Sequence, residues 1–175
     1  MDEEKSKKVI DSFDLENRVH LPVVTEEEFN NAVDVLEGKD SLDAQAIVHA
    51  RKEQSFLRSQ LFKGRIIANC GICGKEFPVS FLTAAHIKKR SECSLSEKKD
   101  YKFIVMPMCK FGCDELYERG YVSVNEGKVV DLNAKPITPL VKEYLSNIAN
   151  NECQYWNNNT AKYFQWHLGK HTKSS

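Results

Sequence analysis

Four cysteines stand in two closely spaced pairs, and glycines beside each pair favour tight turns. Cys70 and Cys73 are separated by two residues, and Cys109 and Cys113 by three. Structural zinc takes about four ligands in a tetrahedral arrangement, and cysteine thiolates are among its preferred ligands. The spacing therefore predicts one structural zinc ion held by these four residues. Four ordinary buried cysteines are the alternative.

Polar side chains that could act on a substrate lie between and after the two cysteine pairs. His86 closes a short apolar run, and a histidine with an ordinary pKa of about 6.5 can take a proton from water near neutral pH. Asp114 and Glu118 are four residues apart, so on a helix they share one face and could hold a hard divalent cation. A structural histidine and a solvated helix face are the alternatives.

Basic residues accompany these groups and could contact a phosphodiester. Lys88, Lys89 and Arg90 follow His86 within four residues and form a local positive patch. Arg58, on the helix predicted before the first cysteine pair, could follow a phosphate backbone. A charge run that faces solvent is the alternative for all of them.

Composition limits the class of protein to which these residues belong. The chain has 175 residues, 41% of them hydrophobic, which suits one domain with its own core. Its 25 basic residues balance 25 acidic ones, so any contact with nucleic acid must come from a local patch. No apolar run approaches the length of a membrane span, and the first residues, MDEEKSKK, carry no apolar signal segment. We expect a cytoplasmic protein that does not contact membranes. Disulfides are disfavoured in the cytoplasm, because the thiol pool there is reducing.

The surrounding sequence predicts an α+β protein with short strands in the middle and helices on both sides. We expect a flexible arm over residues 1–24, a helical region over 25–64, a zinc module with a trailing hairpin over 65–132, and C-terminal helices over 133–175. From about residue 25 onward these parts form one integrated domain.

Capping, glycine and periodicity signals give the elements more closely. The predicted helices cover about 25–38, 41–64, 113–120, 138–148 and 160–168, the strands cover 81–87 and 103–108 with a hairpin over 121–131, and 88–102 forms a loop.

In this order, the motifs resemble the HNH endonucleases, the ββα-metal nucleases in which a zinc-knuckled hairpin and a helix hold one catalytic cation. The match runs over about residues 51–124. Its motifs are the CGICG knuckle, LTAAHIKKR on the first strand, VMPMC on the second, and CDELYERGYVSV on the helix and beyond. The sequence is most similar to the branch whose helix reads Leu-Phe-acid-x-Gly.

The resemblance implies that His86 is the general base that activates water for attack on phosphorus. Asp114 stands where the family usually has a metal-binding His or Asn, and Glu118 would be a second ligand of a catalytic Mg²⁺ or Mn²⁺ ion, or would support the first. Two positions differ. Ala85 stands where the family often has a metal-binding Asp or His, and Asp100 is the polar residue nearest to the place of the family's middle Asn.

Our leading hypothesis is a metal-dependent DNA endonuclease with His86 as base and a divalent cation at Asp114 and Glu118. The alternative is a non-catalytic, zinc-stabilised nucleic-acid-binding module with a degenerate HNH site, which Ala85 and the missing Asn favour. Cleavage of RNA, of one strand or beside a modified base is a third possibility, because nothing in the sequence encodes base readout. Neutral net charge suggests that a protein partner or a homodimer supplies affinity.

Overall fold

The computed structural model of the chain describes residues 24–37, 44–133 and 135–172. Over these ranges the architecture is α+β, with helices and three small antiparallel sheets of two strands each. The arm predicted over 1–24 lies outside the described residues except for Val24, as does the start of the second predicted helix at 41–43. None of the described helices is long and apolar enough to cross a membrane.

Two helices precede the cysteines: α1 spans Glu26–Glu37 and α2 spans Ala44–Phe62. The start of α1 is fixed by reciprocal capping. The Glu28 amide donates to the Thr25 hydroxyl at 3.2 Å, and the Thr25 amide donates to the Glu28 carboxylate at 3.0 Å. The structure confirms both predicted helices in the described ranges. They could be predicted from their capping signals and the spacing of their apolar residues.

Six short strands form three antiparallel pairs, β1–β2, β3–β4 and β5–β6. The strands are β1 Ile67–Asn69, β2 Glu76–Pro78, β3 Leu82–His86, β4 Val105–Cys109, β5 Val122–Asn125 and β6 Lys128–Asp131. The later helices are α3 Leu95–Lys98, α4 Cys113–Glu118, α5 Pro139–Ile148 and α6 Ala161–Thr172. The predicted central strands, trailing hairpin and C-terminal helices are thus confirmed.

Two elements differ from the sequence prediction. The β1–β2 hairpin around the first cysteine pair was missed, since strands of three residues are too short to show a period. Helix α3 lies inside the predicted loop. It begins at a capping box in which Ser94 and Glu97 bond each other's main chain, a local signal without apolar periodicity beside it.

The core lies around β4, which is buried along its whole length. Helix α2 packs against β3 and β4, and α6 packs against β5. Among the largest fully buried side chains are Phe56 of α2, Met106 and Met108 of β4, and Phe164 of α6. The end of β3, where His86 lies, is therefore held between α2 and β4.

Candidate functional site

The thiols of Cys70, Cys73, Cys109 and Cys113 meet in one buried group. Their sulfur atoms all lie within 4.8 Å of one another. Tetrahedral zinc with Zn–S bonds of about 2.3 Å separates its sulfur ligands by roughly 3.8 Å, so the group can hold a metal ion such as zinc. Among the residues that the structure describes, no other group of three or more His, Cys, Asp or Glu has this property.

The main chain around the cysteines supports the negative charge that a thiolate ligand carries. Gly74 has a φ of 68° and donates its amide to the Cys70 carbonyl at 3.0 Å, which closes the first turn. The Cys109 amide donates to the Cys70 sulfur at 3.3 Å, and the Tyr144 hydroxyl lies 3.4 Å from the Cys113 sulfur. The Cys109 amide directs a donor at sulfur, which favours the thiolate form that a zinc ligand takes.

The cysteine group lies where β3, β4 and α4 meet. Cys109 is the last residue of β4 and pairs with Leu82 at the start of β3, while Cys113 is the first residue of α4. A metal ion bound here would tie the ββ pair to the N-terminus of α4. Its effect on any activity would therefore be positional.

A cleft of about 560 Å³ brings the predicted catalytic residues together. His86, Asp114 and Glu118 all line it, and so do Lys89 and Arg90 of the predicted phosphate-binding patch. The antiparallel register carries His86 to the far end of β3 from the cysteines. Residues from β3, from the turn after it and from α4 thus face the same space.

His86 is a buried, neutral histidine in this cleft. Its side chain is 10% exposed, and its Nε2 atom has no hydrogen-bond partner among the described residues. Burial lowers the pKa of His86 to about 4, although the negative charge of Glu53 acts in the opposite direction. At neutral pH the imidazole is therefore uncharged and has a lone pair for a proton, but it is a weaker base than an ordinary histidine.

Glu53 is a site residue that the sequence analysis missed. It lies on α2 with a side chain only 3% exposed, and its Oε1 is 4.0 Å from the Nε2 of His86. Arg90 donates from Nε to Oε1 and from Nη2 to Oε2, each at 2.7 Å. The sequence did carry a signal, because Glu53 is three and four residues before the buried Phe56 and Leu57, on the apolar face of α2.

The two candidate cation ligands lie on one face of α4. Asp114 is partly buried, and burial raises its pKa, while the neighbouring Thr83 side chain acts in the opposite direction. Glu118 is exposed and forms an ion pair with Lys89, whose Nζ is 3.1 Å from its Oε1. Two carboxylates suit Mg²⁺, which keeps several of its waters. A cation bound to Glu118 would compete with the ammonium group of Lys89.

Lys88 and Arg58, also predicted to contact nucleic acid, point elsewhere. The Nζ of Lys88 donates to both Glu97 oxygens, at 2.9 and 2.7 Å, and its side chain is 12% exposed. The Arg58 guanidinium donates to the Val79 carbonyl at 3.0 Å and to the Leu82 carbonyl. Neither residue lines the cleft. These contacts favour structural roles, which stabilise the flanks of β3.

A buried chain of hydrogen bonds braces the backbone behind His86. The Tyr117 hydroxyl donates to the Ile87 carbonyl at 3.0 Å, and the Tyr117 ring stacks on that of His167 at 3.7 Å. The Nε2 of His167 lies 2.9 Å from the Tyr117 carbonyl, so it must carry the proton, and Nδ1 accepts from Ser123 at 2.9 Å. Tyr117 and His167 thereby fix the residue that follows the candidate base.

A second brace passes through Asp100, the residue nearest to the place of the missing Asn. Its carboxylate accepts a hydrogen bond from the Tyr163 hydroxyl at 2.5 Å, and its carbonyl accepts one from the Ile104 amide at 3.0 Å. The Ile104 carbonyl in turn accepts from the Ile87 amide at 2.8 Å. The loop is thus joined to the end of β3 mainly by main-chain bonds.

The buried His167 gives the stability of the fold a defined pH dependence. Burial lowers its pKa to about 3, against about 6.5 in the unfolded chain. The unfolded state therefore binds more protons below pH 6.5, so this contribution to stability is complete above pH 6.5 and is lost as the pH falls toward 3. In His167→Gln, the loss of unfolding free energy between pH 7.5 and 5.5 should be smaller than in wild type by about 1 kcal/mol.

Urea unfolding of both proteins at the two pH values, with zinc held constant, measures this difference. Proton binding at the cysteines and at His86 is common to wild type and variant and cancels in the comparison. An equal pH dependence in both proteins would contradict the assignment of His167 as a buried neutral group.

Comparison with known proteins identifies no family for the chain. No protein-family model matches it, and no curated protein is significantly similar to it. The fold and the site define an α+β protein in which a buried four-cysteine group, able to hold zinc, adjoins a polar cleft. The residues of that cleft carry the groups that could act on a substrate.

Proposed function

We propose that the chain is a metal-dependent HNH-type endonuclease that hydrolyses phosphodiester bonds of DNA. The observation that carries this proposal is the shared cleft, where His86, Asp114 and Glu118 meet beside the positive charges of Lys89 and Arg90. The ββα order of β3, β4 and α4, joined at the four cysteines, is what the resemblance to HNH endonucleases implies. It supports the same interpretation.

In the proposed reaction, His86 acts as general base. The neutral imidazole takes a proton from water as the water oxygen forms a bond to phosphorus, and the bond from phosphorus to the 3′ oxygen breaks. The leaving oxygen receives its proton from solvent. Lys89 and Arg90 supply positive charge toward the phosphate oxygens.

Asp114 and Glu118 would hold the catalytic cation, Mg²⁺ or Mn²⁺. When bound, the cation stabilises negative charge on the phosphate and on the leaving oxygen. The protein contributes a fixed first ligand, because Asp114 directly follows Cys113 at the start of α4 and is partly buried. Glu118 is the adaptable ligand, which would exchange Lys89 for the cation.

Nicking of supercoiled plasmid, measured with a panel of divalent cations, tests the proposal. Wild type is expected to relax the plasmid with Mg²⁺ or Mn²⁺ and to be inactive in EDTA. Asp114→Asn should lower the rate by about 10- to 100-fold at limiting cation, with partial recovery at higher concentration, because one anionic ligand is lost. Glu115→Gln is the matched control, since Glu115 is an exposed carboxylate of the same helix that pairs with Arg119 outside the cleft.

Two observations favour a second candidate, a zinc-stabilised module that binds nucleic acid without cleaving it. Ala85 lines the cleft beside the candidate base and offers no ligand, and the ammonium group of Lys89 already neutralises Glu118. Wild-type protein that binds DNA but nicks it with none of the cations would support this candidate and refute the endonuclease. Cleavage of RNA but not DNA under the same conditions would instead change the substrate.

A further inference from the structure

We propose that Glu53 is the positioning residue of His86: its carboxylate faces the Nε2–H of the imidazole, accepts it in the reacting complex, and so keeps the lone pair of Nδ1 directed at the cleft. This inference rests on the proposed function, because it names the residue that would make His86 a competent base. It also predicts a tautomer, which is measurable without any substrate.

The Nε2 atom of His86 faces the carboxylate of Glu53. It is buried, has no hydrogen-bond partner among the described residues, and lies 4.0 Å from Oε1 of Glu53. A carboxylate offers only lone pairs, so the ring nitrogen that faces it is stable as an N–H donor. Since His86 lines the cleft, the opposite nitrogen, Nδ1, is then the one that meets a substrate water.

The Glu53 carboxylate is held in its charged form by Arg90. Arg90 donates to both of its oxygens at 2.7 Å, a bidentate arrangement that guanidinium makes with an ionised carboxylate. Each carboxylate oxygen has a second lone pair, so Oε1 can accept from Arg90 and from His86 together. Because Glu53 is 3% exposed, water does not compete strongly for that lone pair.

The distance of 4.0 Å is about 1 Å longer than a hydrogen bond. Catalytic hydrogen bonds are often long in the absence of substrate and shorten in the reacting complex. Proton uptake at Nδ1 would draw the two groups together, because the imidazolium then carries a full charge opposite the carboxylate. In the resting protein, His86 and Glu53 therefore face each other without a closed hydrogen bond.

The charges that face His86 show why a counter-ion is needed. Burial disfavours the protonated ring most strongly. Glu53 from α2 and Glu118 from α4 favour it, whereas Arg90, after β3, and Lys98 of α3 oppose it. Glu53 is the strongest of the favourable charges, so its removal should weaken the base more than any other single change near the ring.

The test compares wild type with Glu53→Gln, which keeps the size of the side chain and removes its charge. In steady-state cleavage, kcat should fall by about 100-fold with little change in KM. The acidic limb of the pH–rate profile should move to lower pH, because the charge that favours the imidazolium is gone. Glu92→Gln is the matched control, since Glu92 is exposed and paired with Lys170. Its rate and pH profile should equal those of wild type.

The tautomer is read by NMR of protein labelled with ¹⁵N-histidine. Wild type should show His86 protonated at Nε2, and Glu53→Gln should show a mixture or the Nδ1–H form. If Glu53→Gln fails to fold, the wild-type spectrum and the double variant Glu53→Gln/Arg90→Gln, which removes both charges of the ion pair, replace it.

Two results would overturn the inference, and they differ from a failure of the proposed function. One is a wild-type His86 protonated at Nδ1. The other is unchanged kcat and an unchanged acidic limb in a folded Glu53→Gln protein that cleaves DNA. A wild type without nuclease activity refutes the proposed function alone, and the tautomer then decides whether Glu53 positions the ring.

Discussion

Replacing Cys109 by alanine is expected to prevent the central part of the chain from folding, rather than to weaken one contact. Cys109 contributes one of four sulfur atoms that lie within 4.8 Å of one another and ends the fully buried strand β4. Structural zinc contributes on the order of 10 kcal/mol to folding, which is comparable with the whole stability of an ordinary domain. We therefore expect loss of bound zinc and of the cooperative thermal transition together, measured by metal analysis and circular dichroism.

Cys153→Ala is the matched control for this variant. Cys153 is also a buried free thiol, but it lies outside the four-cysteine group and near Met106. Its replacement should cost only about 1 kcal/mol and leave zinc content unchanged. A chelator added to wild type should reproduce the Cys109→Ala spectrum, and zinc should restore it. A Cys109→Ala protein with the wild-type melting transition would show that the cysteines are ordinary core residues.

Replacing His86 by alanine should abolish DNA cleavage while leaving the fold intact. A general base contributes about 10²- to 10⁴-fold to rate, and among the described residues no other histidine lines the cleft. The fold should tolerate the change, since Nε2 of His86 lies 4.0 Å from Glu53, beyond hydrogen-bond distance, and so adds no closed hydrogen bond to the stability of the resting protein. Initial rates of plasmid nicking and thermal unfolding measure the two effects separately.

His167→Gln serves as the control for His86→Ala. Both remove a buried, neutral imidazole, but His167 contacts the main chain of Tyr117 and lies outside the cleft. Its variant should keep most of the nicking activity at pH 7.5, because the glutamine amide can still donate a hydrogen bond to the Tyr117 carbonyl and so preserve the support of Ile87. If His86→Ala cleaves as fast as wild type while His167→Gln does not, the general base has been assigned to the wrong residue.

Most elements could be predicted because their signals are local. Thr25 with Glu28 marks the start of α1, and Thr138 caps α5 by accepting a hydrogen bond from the Val141 amide at 3.4 Å. The two cysteine pairs are local signals as well, since each lies within one turn. The capping box at Ser94 was equally local, but its helix has only four residues and no apolar period to draw attention to it.

The rest of the site could not be predicted, because it depends on contacts between distant segments. The Glu53–Arg90 pair joins residues 37 positions apart, and the bond from Tyr117 to Ile87 joins residues 30 apart. The charge of a residue also does not predict the direction in which its side chain points. Lys88 and Lys89 are neighbours in the sequence, yet only Lys89 lines the cleft, because Lys88 is turned toward α3.

The contacts of Tyr117 determine when, during synthesis, the support behind His86 can form. Its hydroxyl supports Ile87, but its ring and carbonyl are held by His167, which the ribosome adds 50 residues later. A nascent chain that ends before α6 therefore has the cysteines, His86 and α4, but lacks the rear support of the base. The support behind His86 is thus complete only after α6 has been synthesised and has packed against β5.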